Sequence, residues 1–446
     1  MNVAVVGTGY VGLVTGVCLA ELGHDVVCVD SDARRIEQIR RGEAPFFERD
    51  LEGLLGRHTG ARLRASTDLR AAVLASELTL IAVGTPFVDG KIDLGAVRTV
   101  TRDIGEALRE HDTFHAVVVK STVVPGTTRN VVLPLLEEAS GLVAGERFGV
   151  GMNPEFLTEG QAVDDFMAPD RLVLGAGDDG THGLLVRLYE ALPHDIPRLR
   201  ASPTTAELIK YASNALLATM ISFANEIGNL SDVLDEADVV DVMHGVHLSR
   251  YLSPIGEDGV PVRAPISSFL EAGCGFGGSC LPKDVRALIA HGEGLGRRLP
   301  LLEAVMRVNE QRPDEMMAVI GDALSTLDGA RVTVLGLAFK PDTDDVRESP
   351  AVPIIERLSR ATAHVCVHDP VVAKLPDAVA GLANVRLTAD LEAAIEGADV
   401  VVLTTRWEHY RDVPQLIANL DPVPVFVDGR RMFDKHEFAR YAGIGA

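Results

Sequence analysis

NVAVVGTGYVG, residues 2–12, is the stretch whose reading decides the fold. An apolar run ends at Gly7, as a strand buried on both faces of a parallel sheet would. Residues 11–22 then have helical composition and stop at Gly23, a residue suited to the left-handed position after a helix. DVVCVD (25–30) reads as the next strand, and LTLIAVGTP (78–86) and HAVVVKST (115–122) as further strands with helical segments between them. Alternation of this kind predicts an α/β fold, a doubly wound sheet of Rossmann type over residues 1–200.

Beyond Pro203 the character changes. TAELIKYASNALLATMISFANEIGNL lacks proline and carries one glycine, which predicts a helix longer than most, either a spine between domains or an oligomer surface. Residues 253–280 are rich in Gly, Pro and Ser and read largely as loop, and a helical stretch follows around 282–327. This central region, 201–300, is expected to be helical and to carry the cysteine loop treated below. The opening pattern then returns in RVTVLGLAFK (331–340), HVCVHDP (364–370), DVVVLTTRW (399–407) and PVFVDGRR (424–431). Residues 301–446 are therefore expected to form a second Rossmann-like α/β domain. It lacks the full glycine fingerprint, so it need not bind a dinucleotide.

The first copy has that fingerprint. Gly7 permits the tight turn, Gly9 lets backbone approach a pyrophosphate, and Gly12 allows close packing of helix on strand. Tyr10 and Val11 lie inside the same motif and are read with it as cofactor-binding. The N–H groups and positive dipole end of the helix suit phosphates. Asp30 ends the next strand, where it can accept both ribose hydroxyls, and an acid there disfavours a 2′-phosphate. NAD is thus preferred to NADP. FAD fits the same fingerprint, and a glycine turn without ligand is the bland alternative. Arg35 suits the adenine ribose, or equally a solvated helix face.

Composition excludes other classes. A formal charge of −22 over 446 residues repels nucleic acid and anionic membranes at long range. No apolar run reaches ~18 residues, and Met1 leads into a strand without a charged leader or cleavage site. The five cysteines show no zinc-like pairing with histidines. A cytoplasmic protein without a metal is expected.

GCGFGGSCLPKD (273–284) carries the strongest chemistry. Its glycines strip away side chains, so substrate can lie against backbone. Pro282 suits the first turn of a helix, which would put Cys280 at a helix N-terminus where the dipole favours thiolate. Asp284, one turn on, could orient a lysine or a water. A structural thiol beside a flexible loop is the alternative, and it is the better account of Cys18, Cys28, Cys274 and Cys366. Lys210 and Asn214 form an i, i+4 pair on the long helix, suited to a developing alkoxide or to a plain polar stripe. In NPEFLTEG (153–160), Glu155 and Glu159 read as base and positioning group, or as helix caps.

GTGYVG, VGTP (83–86), KST (120–122), NPEFLTEG, ELIKYASNA (207–215), GFGGSCLPKD (275–284), GLAFKPDTDDVRESPA (336–351) and VDGRRMF (427–433) occur in one order along the chain. In that order, and over essentially the whole length, the chain resembles the UDP-glucose/GDP-mannose dehydrogenases. The resemblance implies oxidation of the C6 primary alcohol of a nucleotide sugar to a carboxylate, using two NAD and one water. It implies that Cys280 attacks the C6 aldehyde and carries a thiohemiacetal and then a thioester. Lys210 and Asn214 would stabilise oxyanions, and Asp284 would support the lysine or a water. Glu155 would be the hydrolytic acid/base, with Thr122 positioning the water through it. Thr85, Ser121 and Thr122 would lie along the cofactor, and Glu159 and Arg347 near its nicotinamide. The substrate would meet Glu155, Phe156, Leu157, Lys210 and Asn214, with Lys340 and Arg430 at the diphosphate and Phe269 and Gly277 lining it. A homodimer is implied too.

Within the family the signals divide. Residues 121–141 and 223–229 lean toward GDP-mannose enzymes, while TTRWEHY (404–410) and DGRRMFD (428–434) lean toward UDP-glucose enzymes. In the latter an arginine sixteen residues before the cysteine reaches the partner's site; here Ala264 holds that position and Arg263 stands beside it. UDP-glucose is the favoured substrate, with GDP-mannose and dTDP-glucose as alternatives. A two-electron 3-hydroxyacid-type dehydrogenase and a non-catalytic nucleotide-sugar sensor are the rivals from other classes.

Overall fold

The computed structural model describes residues 1–256, 259–324 and 326–446. It divides into two compact units, Met1–Ser213 and Asn214–Ala446.

The first unit is built on one eight-stranded sheet. Its strands are β1 (Asn2–Val6), β2 (Asp25–Val29), β3 (Leu63–Ser66), β4 (Leu78–Ile81), β7 (His115–Val119), β8 (Phe148–Met152), β9 (Leu172–Ala176) and β10 (Arg198–Ala201), while β5 (Phe87–Val88) and β6 (Lys91–Ile92) make a separate hairpin. The spatial order is β10-β9-β8-β7-β4-β1-β2-β3. The strands expected within 2–7, 25–30, 78–86 and 115–122 are all present and parallel, ending earlier than those runs, at Val6, Val29, Ile81 and Val119. β8 pairs antiparallel with β9, and β9 parallel with β10, so the last two run against the other six. That edge departs from an all-parallel expectation. β10 (RLRA) lies half in solvent and offers no apolar run to read.

β1 and β4 are crossed by the first helix, Tyr10–Glu21, whose Leu13 and Val17 are buried with Val3, Val5 and Leu80. Each such side chain contributes roughly 1.5–3 kcal/mol of burial. Gly23 follows that helix with φ +94°, donating to the Ala20 carbonyl at 3.0 Å, as its placement after the helix required.

The second unit holds a six-stranded, wholly parallel sheet. Its strands are β11 (Arg331–Leu335), β12 (His364–His368), β13 (Val385–Thr388), β14 (Val400–Leu403), β15 (Val425–Asp428) and β16 (Tyr441–Gly443), in the order β13-β12-β11-β14-β15-β16. The four apolar runs of the sequence are its centre, and the half-exposed edges β13 and β16 are the additions. The long helix spans Pro203–Ser231, so the boundary between units falls inside it, Lys210 before and Asn214 after. Two further helices, Leu281–Gly294 and Pro300–Ala323, occupy the stretch read as one.

The two Rossmann-type openings are built alike and filled differently. Gly7 (φ +96°) donates to Val29 O, and Gly336 (φ +102°) to His368 O, both at 2.8 Å. Asp369 holds the position that Asp30 holds in the first copy. Its carboxylate, however, accepts from the N–H groups of Leu337, Ala338, Val371 and Val372 and from the Trp407 indole. An acid so fully engaged by its own chain is not left to bind a ribose, which agrees with the missing glycine fingerprint.

Candidate active site

The glycine loop of the first unit fits a dinucleotide. The N-cap of the first helix is Gly9, with no side chain capping the helix N–H groups. A Cβ at Gly9 would meet nothing, so the space above it is open, whereas one at Gly12 would strike the Gly7 carbonyl oxygen. Open space over uncapped N–H groups is what a pyrophosphate needs. Asp30 accepts from the Thr8 N–H at 2.8 Å, the Thr8 hydroxyl at 2.7 Å and the Asp32 N–H at 2.9 Å, and Arg35 stands 3.8 Å away. Burial alone would raise the Asp30 pKa; the two N–H groups, the hydroxyl and Arg35 overcome it and hold the carboxyl below its usual range.

Along the same unit, VGTP and KST are tied together. The Thr85 hydroxyl donates to the Thr122 carbonyl at 2.7 Å, and the Ser121 hydroxyl to the Val83 carbonyl at 2.7 Å. Thr122 itself is half-buried. NPEFLTEG forms no helix, so Glu155 and Glu159 are not one turn apart and neither caps the helix Ala162–Met167, whose N-cap is Gln161. Instead the turn buries Glu155 and leaves Glu159 half-buried. Lys210, also buried, reaches Glu155 Oε1 at 2.9 Å, and the Leu157 N–H donates to Oε2 at 2.7 Å. The Lys210 ammonium lies 5.6 Å from the centre of the Phe156 ring, which Arg171 covers at 3.8 Å. Burial pushes Glu155 up, but Lys210, the Leu157 N–H and Lys120 outweigh it, and the carboxyl stays below its ordinary value.

Two residues here escaped the sequence reading. Glu48 is buried and accepts hydrogen bonds from the Tyr10 hydroxyl, from the Gly160 N–H at 2.7 Å and from the Ala162 N–H at 2.9 Å. It thereby ties the glycine loop to the end of the Glu155–Glu159 turn. FFERDLEG, around it, gives no local signal of that task. Lys120 directly follows β7 and is buried inside the unit; a lysine just after an apolar strand was the visible signal.

In the second unit Cys280 is exposed and is the N-cap of the helix Leu281–Gly294, with Pro282 in its first turn. Cys18, Cys28, Cys274 and Cys366 are buried, as a packing role requires, and burial pushes the thiols of Cys18 and Cys28 up to about 12. The Ser279 hydroxyl stands 3.7 Å from the Cys280 sulfur. Asp284, buried, accepts from the Asn214 amide at 2.7 Å and from Lys283 at 2.5 Å. The lysine that Asp284 orients within this unit is thus its neighbour.

The glycine loop before Cys280 is held from beneath. Asn309 pairs with both backbone groups of Phe276, at 2.8 and 3.0 Å; Asn225 accepts from the Gly273 N–H at 2.7 Å; and buried Arg312 donates to the Gly273 carbonyl at 3.0 Å. Gly277 packs so closely on the Glu348 carbonyl that no Cβ fits. Gly278 donates to the Arg347 carbonyl at 3.0 Å, while the Arg347 guanidinium is exposed and pairs with Asp345 at 2.7 Å.

Phe269, Lys340 and Arg430 line one cavity of about 360 Å³, together with Phe339, Arg406 and Glu271. Aromatic faces beside cations suit a base and a diphosphate. Arg430 is anchored there by the Thr404 carbonyl at 2.6 Å and the Gly275 carbonyl at 2.8 Å. Arg406, paired with Glu271, is the addition to the expected set. Arg263 bonds Ser267 at 2.9 Å and Glu271 at 3.2 Å, and half-buried Ala264 offers no charge of its own.

The UDP-glucose/GDP-mannose dehydrogenase family matches in three parts: its NAD binding domain over residues 1–193, its central domain over 204–311 and its UDP binding domain over 333–435. A UDP-glucose 6-dehydrogenase of Haloferax volcanii is 39% identical with 100% of each chain covered. A GDP-mannose 6-dehydrogenase of Pseudomonas aeruginosa is 40% identical over 93% of each. Among solved structures, a UDP-glucose dehydrogenase from the hyperthermophilic archaeon Pyrobaculum islandicum superposes with a TM-score of 0.88 at 41% identity, covering 99% of this chain and 97% of its own. NAD is the cofactor that the loop, Asp30 and the matched domain share, and this chain is an NAD-dependent member of the UDP-glucose/GDP-mannose dehydrogenase family.

Proposed function

We propose that this protein oxidises C6 of UDP-glucose to give UDP-glucuronate, through covalent intermediates on Cys280. The observation that carries the reading is the contrast among thiols: Cys280 alone is exposed, and it sits at a helix N-terminus behind a loop stripped of side chains.

Bound NAD supplies the hydride acceptor. The chain's own residues do the rest. As the C6 hydroxyl loses its proton and a hydride leaves, Lys210 and Asn214 steady the developing oxyanion. The Cys280 thiolate adds to the resulting aldehyde carbon, and the oxygen takes a proton to give a thiohemiacetal. Loss of a second hydride and that proton leaves a thioester, which holds the sugar until water arrives. Glu155 takes a proton from the water; its oxygen bonds to the acyl carbon and the thiolate departs. Two hydrides go to two NAD, water provides the second carboxylate oxygen, and three protons are released. Thr122 positions the water through Glu155, and Asp284 orients Asn214 and Lys283. Thr85, Ser121, Glu159 and Arg347 serve the cofactor. Phe156, Leu157, Phe269, Gly277, Lys340 and Arg430 hold the nucleotide sugar.

The Pseudomonas relative supports GDP-mannose as a second substrate reading, and dTDP-glucose remains a third for a pyrimidine site. We further propose a homodimer. Leu216, Phe223 and Leu230 recur every seven residues on the long helix, each about half exposed, which suits burial against a second copy. A nucleophilic thiol suits the reducing cytoplasm, where we place the enzyme. NADH counted per sugar, across UDP-, dTDP- and GDP-sugars, tests the whole. Two NADH per UDP-glucose are expected; one per sugar, or no turnover with any, would sink it.

A further inference from the structure

Three charged side chains share the interior of the first unit. Lys120, Glu155 and Lys210 are 3%, 7% and 4% exposed. Lys210 pairs directly with Glu155. Lys120 takes neutral partners: its ammonium donates to Asn153 Oδ1 at 2.9 Å, with the Asn153 carbonyl and the Tyr189 hydroxyl each at 3.5 Å, and the Phe166 ring centre lies 5.9 Å away. Asn153 is fixed in turn. Its amide donates to the Val173 carbonyl at 3.0 Å, and its oxygen accepts from Tyr189 at 2.5 Å. Two ammoniums against one carboxylate leave this cluster a net positive charge when all three are ionised. Burying an ammonium is costly, and an apolar chain of equal length would pack as well, so stability does not explain it. Lys120 joins two segments that matter: it precedes Ser121 and Thr122 at the end of β7, and Asn153 stands two residues before Glu155.

We propose that Lys120 is a positioning residue for Glu155: its bond to Asn153 fixes the turn that carries Glu155, and its charge, beside that of Lys210, keeps Glu155 a carboxylate ready to take a proton from water. This rests on the hydrolytic reading of Glu155 given above. The groups facing Lys120 are Glu155, Lys210, Tyr189, Asn153 and the Phe166 ring; those facing Glu155 are Lys210, Lys120 and the Leu157 N–H. Burial pushes Lys120 down to about 8, with Glu155 opposing and Lys210 adding to the fall. Below that pH it is a cation and supports Glu155.

Rapid-quench kinetics on the full-length enzyme, with UDP-glucose and GDP-mannose in parallel, test this. Lys120→Met should leave the burst of NADH within about threefold of wild type, while steady turnover drops on the order of 10- to 100-fold as hydrolysis slows. The acid limb of its kcat profile should move up by about one pH unit. Asn153→Asp keeps the shape of the side chain and sets a carboxylate against Lys120, and should move that limb the same way. A folded Lys120→Met with the wild-type burst-to-turnover ratio and acid limb overturns the proposal. Should only Asn153→Asp fold, an unmoved limb in that variant overturns it equally. Glu155→Gln separates the two ideas: without a raised burst-to-turnover ratio there, the hydrolytic reading fails and the inference with it. With the ratio raised there but not in Lys120→Met, the inference alone fails.

Discussion

Cys280 and Lys120 are two reactive groups in opposite surroundings, one exposed at a helix end and one buried just past the end of a strand. Replacing Cys280 by Ser removes the thiolate but little volume. Net acid formation should fall by more than about 10²-fold while NAD affinity is kept, and wild-type acid formation in that variant would refute covalent catalysis. For Lys120 the sign of the pH effect follows from burial. Its folded pKa, about 8, lies below the ordinary 10.5, so between those values the unfolded chain binds the extra proton. The burden of the buried charge is complete below about pH 8 and is relieved as pH rises toward 10.5. Denaturant midpoints should therefore show wild type gaining on Lys120→Met across that window, and a constant difference would contradict the depressed pKa.

At the scale of elements, the glycine loop and the Glu155–Glu159 turn act together because Glu48 holds both, through the Tyr10 hydroxyl and the Gly160 and Ala162 N–H groups. Glu48→Gln presents an amide where N–H groups need an acceptor. We expect the KM for NAD to rise on the order of tenfold, with the melting temperature nearly kept, and rescue by no other neutral residue. Gly12→Ala is harsher, since its Cβ would strike the Gly7 carbonyl oxygen; isothermal titration should find NAD binding abolished. The central strands and the cysteine helix were legible in the sequence because each combines an apolar run with punctuation by glycine or proline. β10, β13 and β16 were not, being short, half-exposed edges whose residues alternate weakly. Glu48, Asn225, Asn309 and Arg312 were illegible for another reason. Each acts on backbone far along the chain, and nothing in the flanking residues marks a side chain whose partner lies dozens of positions away.

For the whole molecule, the exposed Leu216, Phe223 and Leu230 predict assembly. Changing Leu216 and Phe223 to Glu should shift a dimer to monomer in sedimentation, and a wild-type chain that already sediments as a monomer would exclude the homodimer. The duplication of Rossmann-type units also has a limit built in: with Asp369 engaged by four backbone N–H groups and Trp407, a single acid-to-glycine exchange would not convert the second copy to cofactor binding. The distribution of sulfur has a practical consequence. Four of the five thiols are buried, two of them with pKa values near 12, and only Cys280 meets solvent. Brief treatment with an alkylating reagent at neutral pH should therefore add one label per chain, and intact mass would then count competent subunits in any preparation.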